Sequence, residues 1–109
     1  PFTDAVALAS RASQVVAVGL NCTDPRHVVA LLDGARDSTA LPFVVYPNHG
    51  REWDAAHECW IGDGDAHLGG RVPEWWRAGA RLIGGCCGIG PDGVRSLVAA
   101  RRALGANAQ

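Results

Sequence analysis

Three short apolar runs, each closed by a polar or sulfur-bearing residue, set the strongest limit on how this chain can fold. Val15 to Leu20 is nearly all apolar and rich in valine, and it ends in Asn21-Cys22. Phe43-Val44-Val45-Tyr46 ends in Pro47-Asn48, and Arg81-Leu82-Ile83 ends, after Gly84-Gly85, in Cys86-Cys87. Runs of this kind fit strands of a parallel sheet buried on both faces. Helical patterns lie between them. Residues 3–12 are alanine-rich, lack Gly and Pro, and predict a helix with Thr3 or Asp4 near its cap. Asp24-Pro25 supplies an N-cap and a proline at the first helical position, Val28, Leu31 and Leu32 follow at helical spacing, and Gly34 is the stop. Pro73 to Ala78 predicts a short helix stopped by Gly79. Pro91 opens the last helix, with Val94, Leu97, Val98 and Leu104 as its buried stripe and a frayed end over Gly105 to Gln109.

Strands alternating with helices imply an α/β fold with right-handed crossovers. Residues 35–41 are a loop, and the stretch from His49 to Arg71 is the least regular part, with five glycines and the two tryptophans Trp53 and Trp60. A loop this long is usually functional. The segment from Trp53 to Trp60 is expected to form one short helix within it. Trp53 and the pair Trp75-Trp76 are expected to be packing anchors, because no basic patch accompanies them as it would in a base-stacking platform.

Composition removes several function classes. The formal net charge of −1 offers no electrostatic attraction for nucleic acid or an anionic membrane. No apolar run approaches the ~20 residues of a membrane span, and no basic-then-apolar start marks a secretory signal. A first residue of Pro1 and the lack of any methionine point to a fragment or processed product, and the lack of a secretory signal leads to the expectation of a cytoplasmic protein. At 109 residues with 48% apolar content, the chain suits one small domain or a piece of a larger one.

The four cysteines, Cys22, Cys59, Cys86 and Cys87, carry the chemistry. In a reducing compartment such residues serve metal binding or catalysis more often than disulfides. Adjacent cysteines are poor partners for each other, since an ordinary disulfide needs Cα atoms ~4.4–6.8 Å apart and neighbours across a trans peptide sit ~3.8 Å apart. In parallel α/β folds, function gathers at the carboxyl ends of the strands. That rule places Cys22, Cys86 and Cys87 on one side of the sheet, where three thiolates suit Zn²⁺ and leave its fourth position open. An exogenous thiol entering that position would be held as a nucleophilic thiolate, which suits alkyl transfer to sulfur. Other readings stay open at this point: a closed zinc module with Cys59 or His49 as fourth ligand, a redox pair at Cys86-Cys87, or a phosphate-cradling turn before a helix N-terminus at Gly84-Gly85-Cys86-Cys87-Gly88-Ile89-Gly90-Pro91. Singly, Cys59 reads as a bystander, His27 as solvated, His57-Glu58-Cys59 as a weak metal pattern, and His49 as a residue that could line a cleft.

The stretches Val18-Gly19-Leu20-Asn21-Cys22-Thr23, Val44-Val45-Tyr46-Pro47-Asn48, Glu52-Trp53-Asp54-Ala55 and Gly79-Ala80-Arg81-Leu82-Ile83-Gly84-Gly85-Cys86-Cys87 resemble the homocysteine S-methyltransferase family. The resemblance runs from about Val15 to Val98. It implies a (β/α)8 barrel of which residues 1–109 would be a C-terminal portion, about strands six to eight with their helices. It implies Zn²⁺ held by Cys22, Cys86 and Cys87, homocysteine's sulfur as the added ligand, and Asn21 as a candidate substrate-binding residue. The expected reaction is methyl transfer from S-methylmethionine or S-adenosylmethionine to homocysteine, giving methionine. Tyr-Pro-Asn followed by Glu-Trp-Asp-Ala is most similar to that sulfonium-using branch, whereas Gly88-Ile89 stands where the branch usually has Arg-Thr. A complete barrel needs ~250 residues, so a chain of this length is expected to be inactive and marginally stable alone.

Overall fold

The computed structural model describes residues 1–105, so the expected fraying at Gly105 to Gln109 falls mainly outside the described residues. Among the described residues are four α-helices and five strands: α1 (Phe2–Ala9), β1 (Val18–Asn21), α2 (Val28–Ala35), β2 (Phe43–Tyr46), β3 (Glu52–Asp54), β4 (Cys59–Ile61), α3 (Val72–Arg77), β5 (Ala80–Ile83) and α4 (Pro91–Ala103). β1, β2 and β5 form a three-stranded parallel sheet in that order. Gly19 pairs with Val44, and a Cβ there would fall on the Val44 carbonyl, so this register needs glycine.

One core lies between the sheet and the helices. Leu20, Phe43, Val45 and Ala80 face Val6, Val28, Leu32, Val72, Trp75 and Leu97. The opposite face of the sheet is bare, with Tyr46 40% and Leu82 51% exposed. The expectation of strands buried on both faces is therefore corrected: apolar runs show that a strand suits a core, not how many layers cover it. Val15 to Ala17 also precede the strand, because pairing to the β2 chain begins with Val18 N–H on the Pro42 carbonyl.

Local chemistry explains the helix boundaries. Asp24 accepts from the Arg26 N–H at 2.9 Å and starts a 3-10 turn over Pro25–His27 that leads into α2. His27 is exposed, as expected. Gly34 lies inside α2 rather than stopping it. Thr3 does not cap α1; its hydroxyl donates to the Gly34 carbonyl at 3.3 Å and ties α1 to α2. Trp75 is fully buried, whereas Trp76 carries the guanidinium groups of Arg81 and Arg101 over its ring at 4.3 and 4.2 Å.

Two further expectations change. Trp53 to Trp60 is no helix but the antiparallel hairpin β3–β4, with Trp53 opposite Trp60 and the turn held by Asp54 accepting from Ala56 and His57 N–H. Alternation along each strand puts both indoles on one face, 5.1 Å apart. Trp53 is 49% exposed, so it is not a packing anchor. On α4 only Leu97 is buried, while Val94 and Val98 line an open groove of about 400 Å³ with Leu82, Ile83 and Trp76. The stripe has the right spacing, but no element covers its outer half.

Candidate metal centre

The three parallel strands deliver their carboxyl ends to one side of the molecule, and the sulfur-bearing residues meet there. Cys22 Sγ lies 2.6 Å from Cys86 Sγ and 3.2 Å from Cys87 Sγ. All three thiols fall within 4.8 Å of one another, and among the described residues no His, Asp, Glu or fourth Cys joins the group. A tetrahedral zinc with bonds of ~2.3 Å sets its sulfurs ~3.8 Å apart. The donor set therefore fits such an ion in kind and number, with modest spreading of the side chains.

The thiols share protons unequally. Hydrogen bonding from Cys86, and then Cys87, draws the Cys22 thiol below its ordinary pKa. Its bond to Cys22 pushes Cys87 up to about 11, because a first thiolate next door opposes a second. Of these two, Cys22 holds a thiolate more readily, and a cation would let Cys87 ionise beside it.

The segment Tyr46 to His49, which runs between the two cysteine loops, binds the backbone of all three cysteines. The Tyr46 carbonyl accepts from Cys22 N–H at 3.1 Å, and the Pro47 carbonyl accepts from Cys86 N–H at 2.8 Å. His49 N–H donates to the Cys87 carbonyl at 3.1 Å. The Asn48 side chain donates to the Cys22 carbonyl at 3.0 Å. Asn48 is the buried polar residue of the core region, 8% exposed. Sequence reasoning saw Pro47-Asn48 only as a strand ending. The available signal was an Asn two residues before a Gly, which favours a side-chain-to-backbone turn, and Asn48 Oδ1 does accept from Gly50 N–H at 2.8 Å.

His49 does line a small cleft, with Gly88, Ile89, Asp92 and Ser96. Its Nδ1 accepts from Arg51 N–H at 3.1 Å, and its ring stands edge-on to Trp60 at 4.5 Å. Burial and then the Arg51 charge lower its pKa, consistent with a neutral ring whose Nδ1 is already used. Cys59 is exposed on β4 and lies outside the thiol group, as does His57, which pairs with Asp54 at 2.7 Å. Asn21 is exposed in register with Tyr46 on the bare face of the sheet.

Residues 1–101 match the family described as homocysteine S-methyltransferase. The chain belongs to that family. A homocysteine S-methyltransferase of Escherichia coli (strain K12) is 44% identical over 101 residues, covering 91% of this chain and 33% of that protein. A selenocysteine methyltransferase of Astragalus bisulcatus is 40% identical over 93 residues, covering 83% of this chain and 28% of that protein. The crystal structure of the homocysteine methyltransferase MmuM from Escherichia coli in its metallated form superposes with a TM-score of 0.70 at 38% identity, covering 91% of this chain and 29% of that one. The chain thus spans about a third of the length of these homocysteine S-methyltransferase relatives. Among the described residues no helix is long and apolar enough to cross a membrane.

Proposed function

We propose that this chain is a C-terminal portion, about strands six to eight, of a (β/α)8 barrel that moves a methyl group from a sulfonium donor, S-methylmethionine or S-adenosylmethionine, to the thiol of homocysteine. Cys22, Cys86 and Cys87 would hold Zn²⁺, and the homocysteine sulfur would take the remaining position. The observation that carries this is the count of ligands: three converging thiols with no fourth protein donor among the described residues. A purely structural zinc site would be closed by four.

Bound zinc would keep an incoming thiol deprotonated near neutral pH. The chain's own residues would shape this part of the site. The backbone bonds from Tyr46, Pro47 and His49 fix where the three thiols point, and Asn21 stands on the bare sheet face beside them as a substrate-binding candidate. In the reaction the homocysteine thiol loses its proton and its sulfur bonds to the methyl carbon. The sulfonium C–S bond breaks, and the donor leaves as a neutral thioether. The half-exposed indole of Trp53 beside Trp60 and His49 suits a cationic donor, since aromatic faces attract cations. The preference for a sulfonium over betaine or a methylcobalamin- or folate-linked donor rests on the Tyr46-Pro47-Asn48 and Glu52-Trp53-Asp54-Ala55 stretches.

X-ray absorption at the zinc edge tests the proposal on the intact chain. Three protein sulfurs are expected, rising to four when homocysteine is added. Cys22→Ser, Cys86→Ser and Cys87→Ser should each lose the metal, and Cys59→Ser should keep it. A site already closed by four protein ligands, or one lost with Cys59→Ser and kept with Cys22→Ser, would overturn it.

A further inference from the structure

We propose that Asn48 is the positioning residue of the thiol trio: its side-chain amide locks Cys22 in the left-handed backbone conformation that aims Cys22 Sγ at Cys86 and Cys87. The proposal takes its metal readout from the function proposed above, but its geometry stands apart from it.

Cys22 has φ of +50°, one of two non-glycine residues with positive φ among those described. Cysteine gains no local stabilisation there, and such a conformation persists only where its surroundings impose it. The two peptide planes flanking Cys22 are each pinned. The plane before it is held by Cys22 N–H on the Tyr46 carbonyl at 3.1 Å. The plane after it is held by its carbonyl accepting from Asn48 Nδ2 at 3.0 Å. Pinning both planes fixes φ and ψ together, and with them the direction of Cβ and Sγ.

Asn48 suits this task in a way few residues can. Its Oδ1 accepts from Gly50 N–H at 2.8 Å, which leaves Nδ2 facing Cys22 and settles the amide orientation. Its own N–H donates to the Thr23 carbonyl at 3.0 Å, so the main chain beside Cys22 is gripped a third time. Aspartate would keep the Gly50 bond but turn an acceptor on the Cys22 carbonyl. Alanine would lose both bonds. In either variant the Cys22 carbonyl loses its side-chain anchor, with only the backbone bonds to Tyr46 and Asn48 remaining, and Cys22 relaxes toward negative φ, which swings its sulfur away from the other two.

Two readouts on the intact chain test this. The first is zinc affinity by chelator competition, with the thiolate-to-metal charge-transfer band after cobalt substitution. The second needs no metal: the rate at which diamide, which takes up the two thiol hydrogens, joins Cys22 to Cys86 as a disulfide, read by mass spectrometry. Asn48→Asp and Asn48→Ala should each lower zinc affinity and slow cross-linking at least tenfold. Leu32→Ala, a core change far from the thiols, should lower the melting temperature and leave both readouts unchanged. Asn48→Asp that binds zinc as tightly as the parent and cross-links as fast would overturn the proposal, as would losses that Leu32→Ala reproduces. If the parent chain cross-links quickly yet takes up no zinc, the metal assignment fails while the Asn48 comparison still reads out on the cross-link.

Discussion

Single residues at the strand ends carry more constraint than their types suggest. Gly88 has φ of +78°, and a Cβ there would fall inside the His49 ring. Gly88→Ala should cost about 2–4 kcal/mol, combining the left-handed penalty with overpacking. The same change in a His49→Ala background should cost only the backbone part, about 1–2 kcal/mol. Urea unfolding of the four chains in this double-mutant cycle measures the difference. Asp24 offers a pH-dependent test. Hydrogen bonding to the Arg26 guanidinium holds its carboxyl at about 2, below its ordinary value of 3.8. A depressed folded value means the contribution is whole above the unfolded pKa and is lost as pH falls from about 4 towards 2. Because Arg26 is 64% exposed, the contribution is expected near 1 kcal/mol rather than the full linkage value. Asp24→Asn should lower stability at pH 7 by that amount and flatten its dependence across this acid range. The thiol trio itself was legible from residue type and strand order. The grip of Asn48 and the left-handed turn at Cys22 were not, because a backbone angle leaves no mark on a non-glycine residue.

At the level of elements, the chain declares its strands and helices where the local signal is strong. Valine-rich runs marked β1 and β2, and prolines in the first turn marked the starts of α3 and α4. The β3–β4 hairpin went unread because three residues per strand are too few to establish an alternation, and a residue pattern that short is equally compatible with one helical turn. Helix α3 shows a different kind of limit. Trp75 is fully buried, but among the described residues its Nε1 has no hydrogen-bond partner. Removing an unsatisfied donor offsets part of the packing lost when the second ring is deleted. Trp75→Phe should therefore stay within about 1 kcal/mol of the parent, whereas Trp75→Ala should cost about 3–5 kcal/mol. Thermal and urea unfolding of the two variants would show whether the gap between them is that wide.

The whole molecule is flat. Its extents are 41 × 36 × 22 Å, and the shortest is the thickness of one sheet and one helix layer. A radius of gyration of 14.4 Å exceeds the ~13 Å expected of a compact domain this long. β1 and β5 each pair on one side only, and the groove beside β5 and α4 stays open. Open edges invite pairing with other chains. The isolated 109-residue chain should accordingly show no methyl transfer and should self-associate as its concentration rises. Sedimentation velocity and a homocysteine methylation assay measure the two halves of that expectation, and turnover by the isolated chain would count against it. The bare sheet face was not legible beforehand, since apolar strands look the same whether one layer or two will cover them.

Cys22 and Cys86 stand 64 positions apart, and β2 lies between the strands that carry them. An ion that needs both can be captured only after all three strands have aligned, so its uptake would report the end of folding. Such a ligand favours the folded chain alone, by roughly 1.4 kcal/mol for each tenfold excess over its Kd. Under the zinc assignment proposed above, removal of the metal would be felt as a shortage of protein, through unfolding and proteolysis.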